Sequence, residues 1–134
     1  MKVAELMQSD VKAITGDASV ADAIVSLADA HVHGLPVVQG PGNRLIGVLS
    51  NTDILEAFTE CESSEDRDRL LEATIVSDLM TPNPTTIKPD ADATEAAQIM
   101  LYREIHRLFV VDGVELIGVI SQSDIVRAVG TARL

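Results

Sequence analysis

The sequence predicts an α/β (α+β) fold made of two tandem β-α-β-β-α repeats, packed on each other with pseudo-twofold symmetry. Three observations predict it. The phrase GVLSNTD at 47–53, continued by Ile54-Leu55, returns as GVISQSD at 118–124, continued by Ile125-Val126. The likeness runs far beyond that phrase: Val3, Glu5-Leu6-Met7, Ile14, Asp17, Ala23, His33, Leu35 and Val38 recur 73 positions later as Val76, Asp78-Leu79-Met80, Ile87, Asp90, Ala96, His106, Leu108 and Val111. Within each copy the apolar residues switch from helical to strand spacing in the same order. The spacing shortens by two residues after the central run, because the turn QGPGNR (39–44) faces the shorter DGVE (112–115). Insertions of that kind belong in surface turns.

Each copy opens with a short helical lead, 3–7 or 76–80, and a small extended segment near Ile14 or Ile87. A helix follows, with a start that reads Ser19-x-x-Asp22 in one copy and Asp92-x-x-Glu95 in the other, both resembling a capping box. Val20, Ile24, Leu27 and Ala28, like Ala93, Ala97, Met100 and Leu101, give that helix one apolar face. Two β-branched runs come next, 35–38 with 45–49 and 108–111 with 116–120, joined by Gly-bearing turns as hairpins. A last helix begins after Ser50 or Ser121 and is expected to bury Ile54, Leu55 and Phe58, or Ile125, Val126 and Val129. The boundaries read as repeat one at 1–60, a charged helical connector at 61–75 that starts at Ser63-x-x-Asp66, and repeat two at 76–134. A unit of about 60 residues is marginal alone, so the copies are expected to pack together.

Composition narrows the function. With 46% hydrophobic residues in 134, the chain buries enough surface for a core, and no apolar run reaches the ~20 residues that cross a bilayer. The formal net charge of −11 opposes nucleic-acid backbones and anionic membranes, and the absence of Trp leaves no stacking ladder for single strands. No partner of either kind is expected. The single cysteine, Cys61, cannot form an internal disulfide and has no clear His partner, so a reducing cytoplasm is the expected location. His31-x-His33 lacks a third ligand nearby, and no metal is expected. Since no nucleophile sits beside a base and there is no P-loop pattern, an enzyme is not expected either. The repeat fills the sequence, so no attached catalytic or transport domain is expected.

The repeated phrase carries the chemistry. Ser50-x-x-Asp53 and Ser121-x-x-Asp124 stand where helices start, and on spacing alone they are capping boxes. The same geometry offers N–H groups and a positive dipole end to phosphate, with the hydroxyls of Ser50 and Thr52, or Ser121 and Ser123, beside it. A carboxylate there would repel phosphate but accept hydrogen bonds from a ribose diol. Phosphate on hydroxyls and ribose on carboxylate describes a nucleotide.

Order, spacing and duplication together resemble a pair of CBS domains, the Bateman module: each copy opens on V-x-[DE]-L-M, holds LPVV or LFVV in its middle and closes on G-V-h-S-x-[ST]-D-I. The resemblance spans the whole chain. It implies a regulatory module that binds AMP, ADP, ATP or S-adenosylmethionine in the cleft between copies, forms a homodimer and signals to an unknown regulated protein. It also implies that Asp53 and Asp124 hold ribose, that Ser50, Thr52, Ser121 and Ser123 meet phosphate, and that Thr15 and Thr86 flank the bases. The stretch Ile105-His106-Arg107-Leu108 is similar to the IHRL phrase of the gamma subunit of AMP-activated protein kinase, which brings His106 and Arg107 to the phosphate. The first copy has His33-Gly34 there, so the second half-site is expected to bind tighter. Retained hydroxyls and acids in both motifs favour this reading over a structural dimerisation module with empty clefts. Apolar helix faces bearing Ile24, Leu27, Met100 and Leu101 are expected to meet across the dimer.

Overall fold

The computed structural model describes residues 1–131, which divide into two compact units, one formed by residues 12–84 and the other by residues 1–11 with 85 onward. Packing therefore crosses the sequence repeats. The lead helix α1 (Val3–Leu6) belongs to the unit built mainly from the second copy, and the second lead belongs to the unit built from the first.

In unit 12–84, β1 (Ile14–Thr15) precedes α2 (Val20–Ala30), the hairpin of β2 (Gly34–Gln39) and β3 (Arg44–Ser50), and α3 (Asn51–Thr59). The connector forms α4 (Ser64–Glu72), followed by the lead helix α5 (Val76–Leu79) and the short strand β4 (Thr81–Pro82). β1 lies parallel to β2, with Ile14 opposite Val37, and β2 runs antiparallel to β3, with Gly34 opposite Ser50. β4 adds to the other edge of β3, where Thr81 faces Val48. The core collects Ile14, Ala23, Leu27, Leu35, Val37, Leu49 and Val76. Each fully buried aliphatic side chain here stabilises by about 1.5–3 kcal/mol.

The other unit repeats the plan with β5 (Thr86–Ile87), α6 (Ala93–Arg103), β6 (Arg107–Asp112), β7 (Glu115–Ser121) and α7 (Gln122–Gly130). β5 is parallel to β6, β6 antiparallel to β7, and Arg107 stands opposite Ser121. Gln8, the residue after the first lead, bridges Val119 on β7 as Thr81 bridges Val48 on β3. Its core holds Val3, Ile87, Ala96, Met100, Leu108, Val110, Ile120 and Ile125. The order β-α-β-β-α, read from periodicity, is present in both units.

Three details differ from the sequence expectation. Leu27 and Met100 are core residues, while Ile24 and Leu101 on the same helices are exposed, so the apolar faces of α2 and α6 are largely spent within their own units. On α3 and α7 the reverse holds: Ile125 is buried and Ile54 packs against the core, yet Leu55, Phe58, Val126 and Val129 face outward. Ser19 caps α2 through the N–H of Asp22, but the Asp92 side chain caps nothing and accepts a bond from Lys2 Nζ at 3.2 Å instead. The lead segment has claimed that carboxylate.

The connector is helical, as Ser63-x-x-Asp66 predicts, although no residue of α4 is buried. Its N-terminal end is capped: Ser63 Oγ accepts from the N–H of Asp66, and the Asp66 carboxylate accepts from the N–H of Glu62 and from Arg69. The Glu62 N–H and the Arg69 guanidinium hold that carboxyl below its ordinary pKa.

Candidate functional site

The two copies of the repeated phrase fold alike. β3 ends at Ser50 and α3 starts at once, because Asp53 N–H donates to Ser50 Oγ at 3.2 Å while Asp53 Oδ2 accepts from Ser50 N–H at 2.9 Å and from the Ser50 hydroxyl at 3.0 Å. A complete capping box of this kind satisfies helix-end donors that would otherwise face the strand. Asn51 N–H donates to the carbonyl of His33 at 2.8 Å, tying the helix start to the entrance of β2. The remaining carboxylate oxygen, Asp53 Oδ1, accepts from Thr81 Oγ1 at 3.1 Å. Asp53 is half-buried and Thr52 exposed.

In the second motif, Ser121 Oγ accepts from Asp124 N–H at 3.1 Å and Asp124 Oδ2 from Ser121 N–H at 2.9 Å. Gln122 N–H reaches the carbonyl of His106 at 2.9 Å. Here Oδ1 accepts from Gln8 Nε2 at 3.2 Å and from the Arg127 guanidinium at 3.4 Å, and Asp124 is only 5% exposed. Ser123 points outward.

The β6–β7 register sets Arg107 beside Ser121, and His106 is tied by its backbone to the next residue, Gln122, so this unit brings His106, Arg107, Ser121 and Asp124 to one end of one hairpin. Arg107 is half-buried, with its guanidinium carbon 5.2 Å from the centroid of the Phe109 ring, and burial pushes its pKa below the ordinary value of a guanidinium. A guanidinium so placed remains a cation at neutral pH and matches phosphate geometry. In the first unit Gly34 occupies the same register opposite Ser50.

The structure does not bring Thr15 to the motif of its own unit. Thr15 pairs with Val38, four residues along β2 from the position opposite Ser50, or roughly 13 Å at strand rise. Nor are Thr15 and Thr86 equivalent. Ile14 opposite Val37 corresponds to Ile87 opposite Val110, so Lys88 stands where Thr15 does and Thr86 comes one residue before that core isoleucine. Each borders a cleft. A cleft of about 920 Å³ includes Lys88, Asp90, Val111 and Asp112, and one of about 500 Å³ includes Thr15, Asp17, Val38 and Gln39 at the same repeat positions. The first of these carries Lys88, Asp90, Glu95 and Asp112, whereas Asp17 is the charged residue of the second.

Sequence reasoning missed Gln8, Thr81, Arg127 and Lys88. Gln8 and Thr81 each follow the Leu-Met of a lead, a shared position that signals a shared role. Arg127 lies three residues after Asp124 on α7, within reach of an i,i+3 pair.

No helix among the described residues is long and apolar enough to cross a membrane. A family model described as CBS domain matches residues 3–60 and 76–131. A CBS domain-containing protein of Dictyostelium discoideum is 34% identical over 127 residues, which span 92% of this chain and 87% of its own length. The uncharacterized protein YlbB of Bacillus subtilis is 25% identical over 124 residues, spanning 92% of this chain and 79% of its own length. Among solved structures, CBSX2 of Arabidopsis thaliana in complex with AMP is similar with a TM-score of 0.81 and 29% identity, covering 99% of this chain and 98% of that one. Two successive matches that take in both leads, both hairpins and both motif helices make the chain a member of the CBS-domain family, carrying a pair of such domains.

Proposed function

We propose that this pair is a regulatory module that senses an adenine nucleotide, and that it works as a cytoplasmic homodimer passing ligand occupancy to a separate protein by shifting its conformational populations. The observation that carries the reading is the register of Arg107 opposite Ser121 at the start of α7, which sets a cation-bearing residue, a hydroxyl-bearing residue and a helix N-terminus at one end of the hairpin. The whole-length likeness to CBSX2, a chain solved with AMP, supports it. Among adenosine compounds, Arg107 favours the phosphate-bearing AMP, ADP and ATP over S-adenosylmethionine, which offers no phosphate. Neither motif holds a nucleophile beside a base, so the module is expected to bind without turnover.

Isothermal titration with AMP, ATP and S-adenosylmethionine tests the reading. Binding of at least one nucleotide is expected, and Arg107→Gly should weaken it about ten- to hundred-fold, the loss of one charge-assisted hydrogen bond. The reading fails when no adenosine compound binds or when Arg107→Gly leaves the affinity unchanged. A purely structural dimerisation module is the second reading, favoured by the capping boxes that already occupy both motif carboxylates. It requires that none of the three ligands raise the melting temperature.

A further inference from the structure

Each lead is pinned to a strand by a methionine. Met80 follows α5, and its thioether fills the hollow that Gly47 leaves on β3, with Sδ 2.6 Å and Cγ 3.1 Å from where a glycine Cβ would stand. Met7 lies over Gly118 of β7 in the same way, at 2.6 and 3.2 Å. Both pack against the core of their own unit, yet neither is sealed: each is half-buried, and Met80 borders the cleft of about 500 Å³ that also includes Ile46 and Ser77. Met100, by contrast, is 1% exposed. The residue after each lead methionine reaches a motif carboxylate, Thr81 to Asp53 at 3.1 Å and Gln8 to Asp124 at 3.2 Å. The same chain position thus joins a reachable sulfur to the start of a motif helix, twice.

A thioether takes one oxygen from a peroxide. A sulfur lone pair forms the S–O bond as the peroxide O–O bond breaks, the second oxygen leaves as water or an alcohol, and the sulfur is oxidised by the two electrons that reduce the peroxide. The product is larger and polar, and it needs a hydrogen-bond donor. The glycine hollow offers none: beside Sδ, the nearest polar atom is another acceptor, the carbonyl of Thr81 or Gln8, 2.9 or 3.0 Å from the same point. A sulfoxide oxygen is repelled there and turns out to water. We propose that Met7 and Met80 form a reversible oxidation switch, in which peroxide draws each side chain out of its glycine hollow and loosens the lead from β7 or β3, together with the bond from Gln8 or Thr81 to the motif carboxylate. Thiol-driven sulfoxide reduction returns the sulfur to its seat. The switch goes beyond the nucleotide reading and stands without any ligand.

Protein treated with hydrogen peroxide, with no ligand present, is read by tandem mass spectrometry and by amide hydrogen exchange. Met7 and Met80 should become sulfoxides before Met100 does. Exchange over 47–55 and 118–126 should then speed by about tenfold, the loss of one partly buried thioether contact at each seat. Met80→Leu, a swap of similar volume, should keep 47–55 slow and leave 118–126 fast, and Met7→Leu should do the reverse. Three results overturn the switch: an oxidised wild type that exchanges like the reduced protein, an acceleration that survives in the doubly substituted Met7→Leu/Met80→Leu chain, or oxidation of Met100 ahead of both leads. Two further measurements decide the matter should a leucine variant not fold. Met80→Gln, which sets a polar group at the seat, should speed exchange over 47–55 without peroxide, and methionine sulfoxide reductase with dithiothreitol should slow the oxidised wild type again. Failure of either counts equally against the proposal.

Discussion

Gly47 and Gly118 are fixed by what lies over them. A Cβ on Gly47 would come within 2.6 Å of Met80 Sδ and 2.9 Å of the Thr81 carbonyl, and one on Gly118 within 2.6 Å of Met7 Sδ and 3.0 Å of the Gln8 carbonyl. A thioether can swing away, but the carbonyl belongs to a backbone that is itself bonded to the strand, at Gln8 by two hydrogen bonds to Val119 of 2.8 and 2.9 Å. Alanine at an ordinary strand position would gain about 0.4–1 kcal/mol through the unfolded chain; here the overpacking costs roughly 1–3 kcal/mol and wins. Gly47→Ala and Gly118→Ala should each lower the urea midpoint, and unchanged midpoints would show that the leads do not clamp these strands. The phrase could be read as needing a close approach at its glycine and a capping box at its Ser-x-x-Asp. It could not reveal Gln8 as the neighbour, because the Gln8–Asp124 bond joins residues 116 apart in sequence.

At the scale of elements, α3 and α7 show what periodicity leaves open. Helical spacing says which residues share a face, and it places Ile54 and Ile125 toward their cores as found. It does not say how wide the covered stripe is. Leu55 and Phe58 on α3 and their counterparts Val126 and Val129 on α7 stay exposed, and a groove of about 520 Å³ that Ile24, Leu27 and Ile54 help to line runs beside Leu55. Soluble monomers rarely leave matched apolar faces uncovered, and a face carried at equivalent positions of both repeats suits a self-complementary twofold contact. The homodimer proposed above should therefore have a mass twice the chain's 14.3 kDa by light scattering at tens of micromolar, and the pair Leu55→Glu with Phe58→Glu should return it to the single-chain mass. A wild type that is monomeric at those concentrations removes the proposal. By contrast, α4 was legible from its cap, because Ser63-x-x-Asp66 marks a helix start whichever residues it later covers.

At the scale of the whole molecule, the repeat was legible but the path of the chain through it was not. Sequence periodicity places the lead Val3 with the copy that follows it, and packing places it elsewhere. Val3 is fully buried among Ile87, Met100, Leu108 and Val110, and Val3 N–H and Ala4 N–H donate to the carbonyls of Ala91 and Pro89 at 2.8 and 2.9 Å. Val76, equally buried, packs among Ile14, Leu27, Leu35 and Val37, and its N–H donates to the carbonyl of Ala18 at 2.9 Å. No local pattern distinguishes a lead that packs forward in sequence from one that packs at a distance, because both present the same valine to the same kind of groove. The two arrangements do differ in what breaks when a lead is weakened. Trimming a fully buried valine to alanine removes two methyl groups and should cost roughly 2 kcal/mol in either case. Hydrogen exchange then reports where that loss falls, since local opening follows cooperative units. Val3→Ala should speed exchange chiefly in α6, β6, β7 and α7 and spare β1, α2, β2 and β3, whereas Val76→Ala should do the reverse. Faster exchange of residues 14–50 in Val3→Ala, with 86–130 unchanged, would return each lead to the copy that sequence periodicity assigns it.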